Sequence, residues 1–241
     1  MPSLPGPLPA QVPTTALPER PAALFVGNAL WLDFVNTRYI VRNRPVDVLE
    51  SFGALVDWLA ESGALSADDA QAAIARWDGT AEGAGVLAQA LALRDTLRDL
   101  AELLASGSEA RAGKASRTRG HAAPVAMAAA VAAINGVLRA NVCYDELTFA
   151  PARAGTGARF ERHARQTGPA PLRLLAPLAD SASELLCGGG DTSRVHRCGN
   201  PKCVLYFYDT TRNGRRRFCS PEGCGNRVKA AARYRRSRES R

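Results

Sequence analysis

Cys198-Gly199-Asn200-Pro201-Lys202-Cys203 and, after fifteen intervening residues, Cys219-Ser220-Pro221-Glu222-Gly223-Cys224 are the two stretches that decide how the end of this chain folds. Cys198, Cys203, Cys219 and Cys224 form a C-x4-C-x15-C-x4-C arrangement, and four thiolates in paired short spacings are a usual ligand set for a structural zinc ion. Gly199-Asn200-Pro201 is turn chemistry that curls the backbone until both sulfurs of the first pair face one point. Val204 to Asp209 (VLYFYD) is strand-like in content. Asn213-Gly214 is a hairpin turn, and Arg215 to Phe218 is expected as the return strand. Ser220-Pro221-Glu222 reads as a helix start, with serine at the N-cap and proline at the first helical position. Val228 to Arg238 continues that helix. The expected order, knuckle, hairpin, helix, is treble-clef-like and brings both cysteine pairs to one Zn2+.

Four protein ligands close the coordination sphere, which speaks for a structural rather than a catalytic ion. A redox pair is the minor alternative for these cysteines, and His196 a minor substitute ligand. Cys143 and Cys187 fall outside the pattern and read as small buried hydrophobes. A segment this short has little core, so metal is expected to supply most of its stability, on the order of 10–16 kcal/mol in small fingers.

Charge concentrates at the same end. From Arg194 to Arg241 there are fourteen Lys/Arg against three Asp/Glu, whereas the whole chain carries +8, which leaves −3 for the rest. An acidic body with a basic end suits a polyanion partner; a solvated tail that serves solubility is the competing reading. The candidate nucleic-acid contacts are Arg215, Arg216 and Arg217 on the hairpin and Arg227, Lys229, Arg233, Arg235, Arg236 and Arg238 on the helix. Guanidinium groups suit phosphate oxygens and pair with guanine edges. Tyr206, Phe207 and Tyr208 either pack the hairpin or stack single-stranded bases.

The body is rich in alanine and leucine, with only 6% aromatic residues, which favours helix over strand. The expected fold class is therefore mainly α. A proline-rich leader over 1–22 is expected to be disordered. A helical N-terminal domain with a small β-hairpin follows over 23–187, then a Gly-rich hinge over 188–193 and the zinc finger over 194–241. Within the body, a buried helix is expected over Ala29 to Thr37, a polar break at Arg42 to Pro45, and helices over 48–61, 66–77, 86–105, 124–139 and 171–186. Gly79 to Gly85 and Ser106 to Gly120 read as loops, and Tyr144 to Phe149 with Ala158 to Ala164 as a hairpin. Asp33, Asn36 and Arg38 are polar positions in or beside an apolar helix. They form either internal caps and ion pairs or a small-molecule effector pocket.

The chain shows no Gly-rich phosphate loop, no G-x-S-x-G and no H-E-x-x-H, and its three histidines are scattered. An enzyme is not expected. No run of about 18 apolar residues suggests a membrane span, and the cysteine usage fits a reducing cytoplasm.

Cys224-Gly225-Asn226-Arg227, closing the second cysteine pair ahead of a basic helix, resembles the CGNR zinc finger, a family named for this tetrapeptide. Gly27-Asn28, the run Leu32-Asp33-Phe34-Val35-Asn36-Thr37 and a helix holding Asp57-Trp58-Leu59 resemble the ABATE domain of stress-induced transcription regulators. Together the two resemblances cover nearly all of the chain after residue 22. They imply a bacterial, cytoplasmic regulator, nucleoid-associated when bound, whose helical domain senses a signal or assembles and whose zinc-dependent finger contacts duplex DNA. The alternative is an interaction module that docks protein or RNA without reading DNA. A homodimer is expected because one small finger makes few base contacts. Within the tetrapeptide, Gly225 and Asn226 are expected to play a structural part, the Asn226 amide bonding a sulfur, and Arg227 to contact a sulfur or a phosphate.

Overall fold

The computed structural model describes residues 22–111, 122–141, 143–151, 157–166 and 170–239. The leader up to 21, the stretch 112–121 with Lys114, Arg117 and Arg119, and the tip of the 143–166 hairpin lie outside the described residues.

The body grows from one short helix, apolar at every position but Asp33. In α1 (Leu30–Val35), Trp31, Leu32, Phe34 and Val35 point in different directions and all are fully buried, so the helix is surrounded by the rest of the fold. It ends at Asn36, earlier than the apolar run suggests. The chain then enters β1 (Arg38–Val41), which pairs antiparallel with β2 (Arg44–Asp47). Arg42 and Asn43 form the connection, both at positive φ (49 and 64). That is the two-residue turn whose twist matches a tight hairpin. The sequence suggests only a break here, because arginine in the first turn position carries no turn signal.

Serine caps then set the next two helices. Ser51 accepts from the Ala54 amide to open α2 (Phe52–Glu61), and Ser66 accepts from the Asp69 amide to open α3 (Ala67–Trp77). α4 (Ala81–Arg111) is the spine, about 46 Å long at 1.5 Å per residue. It begins inside the expected 79–85 loop and outlasts the expected end at 105, because tertiary packing overrides the low helix propensity of Gly83 and Gly85. α5 (Ala122–Ala140) packs along it, and α6 (Ala176–Cys187) packs on α1 and α5; between α5 and α6 come the hairpin β3 (Cys143–Ala150) and β4 (Arg159–Gln166) and a 3-10 turn at Ala170–Leu175.

One buried ion pair locks the spine to the first hairpin. Arg94 bonds both oxygens of Asp47 at 2.6 Å and the Thr37 hydroxyl at 2.9 Å. Burial works to raise the Asp47 carboxyl, but the Arg94 hydrogen bonds and charge, the Leu49 amide and the Arg38 charge together hold the group below its ordinary range. The core gathers around Trp31, Phe34, Trp58, Leu97, Leu100 and Leu178, with the Phe34 and Trp58 rings 5.6 Å apart. This core does not stop at the Gly-rich segment 188–193. Val195, Leu205, Tyr206 and Phe207 belong to the same buried cluster. Cys187 ends α6 exposed, contrary to the expected buried thiol. Among the described residues no helix is long and apolar enough to cross a membrane.

Candidate metal centre and nucleic-acid interface

The knuckle is itself the turn of a hairpin. β5 (Val195–Arg197) pairs antiparallel with β6 (Tyr206–Tyr208), in the register Val195 to Tyr208 and Arg197 to Tyr206. The Cys198 amide donates to the Leu205 carbonyl at 2.9 Å, and the Cys203 amide to the Asn200 carbonyl at 2.8 Å, which folds Cys198 and Cys203 toward each other. The strand partner of VLYFYD thus lies before the cysteines, and Arg215 to Phe218 is not its return strand. Asp209 is the cause. Its fully buried carboxylate accepts from the Thr211 amide and hydroxyl and from the Arg216 amide, at 2.6–2.8 Å. Burial works to raise this carboxyl, but these donors hold it below the usual range. The loop is thereby tied down, and 215–218 runs beside the knuckle, with the Gly199 amide on the Arg217 carbonyl at 2.8 Å. Asn213-Gly214 does turn, with Gly214 at φ +60, but joins no strand pair.

Ser220 caps the second half as expected, accepting from the Gly223 amide at 3.0 Å. A wide turn over Pro221–Gly225 carries Cys224, and α7 (Asn226–Glu239) follows. The ligand atoms of Cys198, Cys203, Cys219 and Cys224 all lie within 4.8 Å of one another. Cys203 and Cys219 sulfurs are 3.8 Å apart, and those of Cys219 and Cys224 3.6 Å. Four sulfurs held tetrahedrally at about 2.3 Å from one ion stand about 3.8 Å apart, so the cluster fits zinc.

The surroundings fit it as well. The Cys219 amide and the Asn200 side-chain amide donate to the sulfurs of Cys198 and Cys224, each at 3.4 Å, the kind of outer bond that steadies a thiolate. The asparagine that serves the metal is therefore Asn200, whereas Asn226 is exposed at the start of α7. Hydrogen bonds from the Cys203 and Cys219 thiols push Cys198 far below its ordinary range, and Cys203 and Cys219 are pushed up in turn. Four thiolates can coexist at this spacing only around a cation. His196 is not a ligand; its ring lies 5.8 Å from that of Phe207. This is a closed zinc site with four cysteine ligands.

The finger is fastened to the body through Asn36, one of the residues that looked like a pocket, and through its neighbours. Asn36, fully buried, donates to the Tyr206 carbonyl at 2.8 Å and accepts from the Tyr206 amide at 2.9 Å, pairing like an extra strand. Asn28 donates to the Tyr208 carbonyl at 3.0 Å, and the Tyr208 amide donates to the Gly27 carbonyl at 2.7 Å. Arg98 on α4 caps the Val204 carbonyl at 2.9 Å, and the Tyr206 hydroxyl donates to Glu102 at 2.6 Å. Burial and Glu102 push the Tyr206 phenol up to about 12.

Asp33 is occupied differently, accepting from the Gly27 amide at 2.7 Å. Gly27 is required there, because a Cβ would fall 2.9 Å from the Asp33 amide and carboxylate. Arg38 faces outward in an ion pair with Asp95 at 3.0 Å. Asp33, Asn36 and Arg38 thus serve three separate partners. The sequence reading missed Arg98, Glu102 and Asn200; only Asn200, between two ligand cysteines, carried a local signal.

Burial raises the Asp33 carboxyl to about 6, against the opposing pull of the Gly27 and Val26 amides and of Arg216. The folded state therefore binds this proton more tightly than an unfolded chain, whose aspartate titrates near 3.8. The stability this group confers is full below about pH 4 and declines as pH rises to about 6. Asp33→Asn keeps an acceptor for Gly27 and is expected to remove that decline, about 2 kcal/mol, from urea-unfolding stabilities measured between those pH values. An unchanged pH profile would rule out Asp33 as its source.

The basic candidates divide. Arg215, Arg217, Arg227, Lys229, Arg233, Arg235, Arg236 and Arg238 are all exposed. Arg216 is not available: its guanidinium bonds the carbonyls of Val26, Phe218 and Cys219 and lies 4.3 Å from the centre of the Phe207 ring. Tyr206 and Phe207 are buried and offer nothing to a base.

Fold and site together define a helical domain with a structural four-thiolate zinc finger welded to its core. The chain belongs to the ABATE family, described as "Putative stress-induced transcription regulator", which it matches over residues 28–189. Residues 194–237 match the CGNR zinc finger. Both families are regulatory or zinc-finger families rather than enzyme families. No curated protein matches the sequence.

Proposed function

We propose that the chain is a zinc-dependent, DNA-binding transcription regulator of the cytoplasm, with α7 as its DNA-contacting element and the helical body as its sensing or assembly half. The observation that carries this reading is the state of α7. It leaves the metal site with Val228 and Ala232 only half-buried and every other described side chain exposed. At 3.6 residues per turn, Arg227, Arg235 and Arg238 fall on one flank and Lys229, Arg233 and Arg236 on the other. A rod about 21 Å long with cations on both flanks suits a groove about 12 Å wide walled by two phosphate strands. A docking helix for protein would instead show an apolar stripe.

Neutralising about six phosphates gives a log–log salt slope near −5 for duplex binding. Arg235 and Arg236 lie on opposite flanks, so replacing both with alanine is expected to weaken all duplexes alike and to flatten the slope by about 2. Fluorescence anisotropy across a salt series measures both. A wild-type slope shallower than about −2, or a double variant that binds like wild type, would remove α7 as the contact and favour a protein- or RNA-docking finger.

A further inference from the structure

The β3–β4 hairpin turns its oily side outward. Residues directly opposite across a strand pair share a face, so Asp145, Leu147 and Phe149 lie on the same side as Phe160 and Arg162. Leu147, Phe149 and Phe160 are 68%, 59% and 71% exposed. Asp145 and Arg162 are exposed too; on the other side Glu146, Thr148, Ala150 and Glu161 are half-buried, and Arg159 and His163 are exposed. A half-buried hairpin ordinarily hides its apolar side chains and shows its polar ones. Here the Phe149 and Phe160 rings pack against each other, tilted, with centres 5.4 Å apart and nothing described above them. Two strands alone are marginal in water and gain stability by acquiring a third strand or a packing partner.

We propose that this face is a homodimer interface, on which the same hairpin of a second copy of the chain lies face to face about a two-fold axis running along the strands. The face is complementary to itself in charge and shape. That axis places β3 of one protomer over β4 of the other. Phe149 then meets the partner's Phe160, and Asp145 stands beside the partner's Arg162, in both halves at once, as an isologous contact requires. Within one protomer Asp145 and Arg162 already approach to 3.5 Å, so the two charges stand together at one end of the apolar strip. A basic or acidic partner would find one of these charges opposed; a second copy finds both matched. Three large side chains this exposed leave roughly 350 Å² of apolar surface per protomer. Doubled and given a polar rim, that falls at the small end of specific interfaces, so the dimer dissociates at micromolar concentration.

Sedimentation velocity of the full zinc-loaded chain from about 1 to 100 µM tests this. The wild type is expected to pass from monomer to dimer over that range, and Leu147→Lys with Phe160→Lys to stay monomeric with zinc content and helical circular dichroism unchanged. Asp145→Arg and Arg162→Asp should each weaken the dimer at least tenfold, and the charge-swapped pair should restore it. A wild type that stays monomeric overturns the proposal and leaves the face to a different protein. A dimer that survives the lysine variants, or that breaks only with Val125→Lys and Val131→Lys on the exposed side of α5, overturns it in favour of another surface.

Discussion

Stripping zinc from this chain, by chelation or by Cys219→Ser, is expected to disorder the finger and to loosen α1 and α4 with it. Cys219 is the sensitive ligand. It is buried, its sulfur touches those of Cys203 and Cys224, and its amide bonds the sulfur of Cys198. Without an ion, thiolates at this spacing repel, and the free energy of zinc binding in small fingers, about 10–16 kcal/mol, rivals the whole stability of an ordinary domain. The knuckle is also the turn of the β5–β6 hairpin, so opening it removes Val195, Leu205 and Phe207 from the common core. It also strands the Arg98 and Asn36 groups that the finger satisfies. Metal analysis should show about one zinc per chain in the wild type and none in the variant. Hydrogen exchange should lose protection over 195–208 and, to a smaller extent, over α1 and the Arg94–Glu102 part of α4. Retained metal would dismiss the ligand set. Loss of protection confined to the finger would show that body and finger unfold separately.

That coupling could not be read from the sequence, although most of its parts could. The four ligands, the Ser220 cap and the β3–β4 hairpin all rest on local chemistry, in which a residue and its near neighbours settle the outcome. Arg216 shows where such reading stops. In sequence it is the middle of three arginines facing DNA; in the fold its guanidinium is spent on Val26, 190 residues earlier, and on Phe207. The strand pairing failed for a similar reason, since the buried Asp209 captures the Arg216 amide and withdraws 215–218 from any ladder. Gly27-Asn28 and Asn36 were legible as unusual polar points in an apolar run, but their partners lie on β6, far along the chain, and nothing local could name them. Arg227 and the rest of α7, by contrast, remain where the sequence put them, because a helix with little apolar surface has little to pack.

The second large effect is expected at Asn36. Its amide is an adaptor: carbonyl and NH2 each meet one backbone group of Tyr206, in a place sealed from water. Asn36→Leu keeps the branched shape but leaves the Tyr206 amide and carbonyl unpaired, at about 1–3 kcal/mol for each, so about 2–6 kcal/mol together. For a chain of this size that is a fall in melting temperature of roughly 5–20 °C. Because the same bonds hold β6 in place behind the knuckle, zinc affinity should drop with stability, by linkage between metal binding and folding. Asn36→Asp sharpens the test. Protonated, the carboxyl can donate to the Tyr206 carbonyl and accept from its amide as asparagine does; ionised, it cannot donate and is a buried charge. The aspartate variant should therefore approach wild-type stability at low pH and lose it as pH rises. If Asn36 instead lined a ligand cavity, neither substitution would weaken zinc binding, and a melting temperature within about 2 °C of wild type for Asn36→Leu would show that the finger is held by other means.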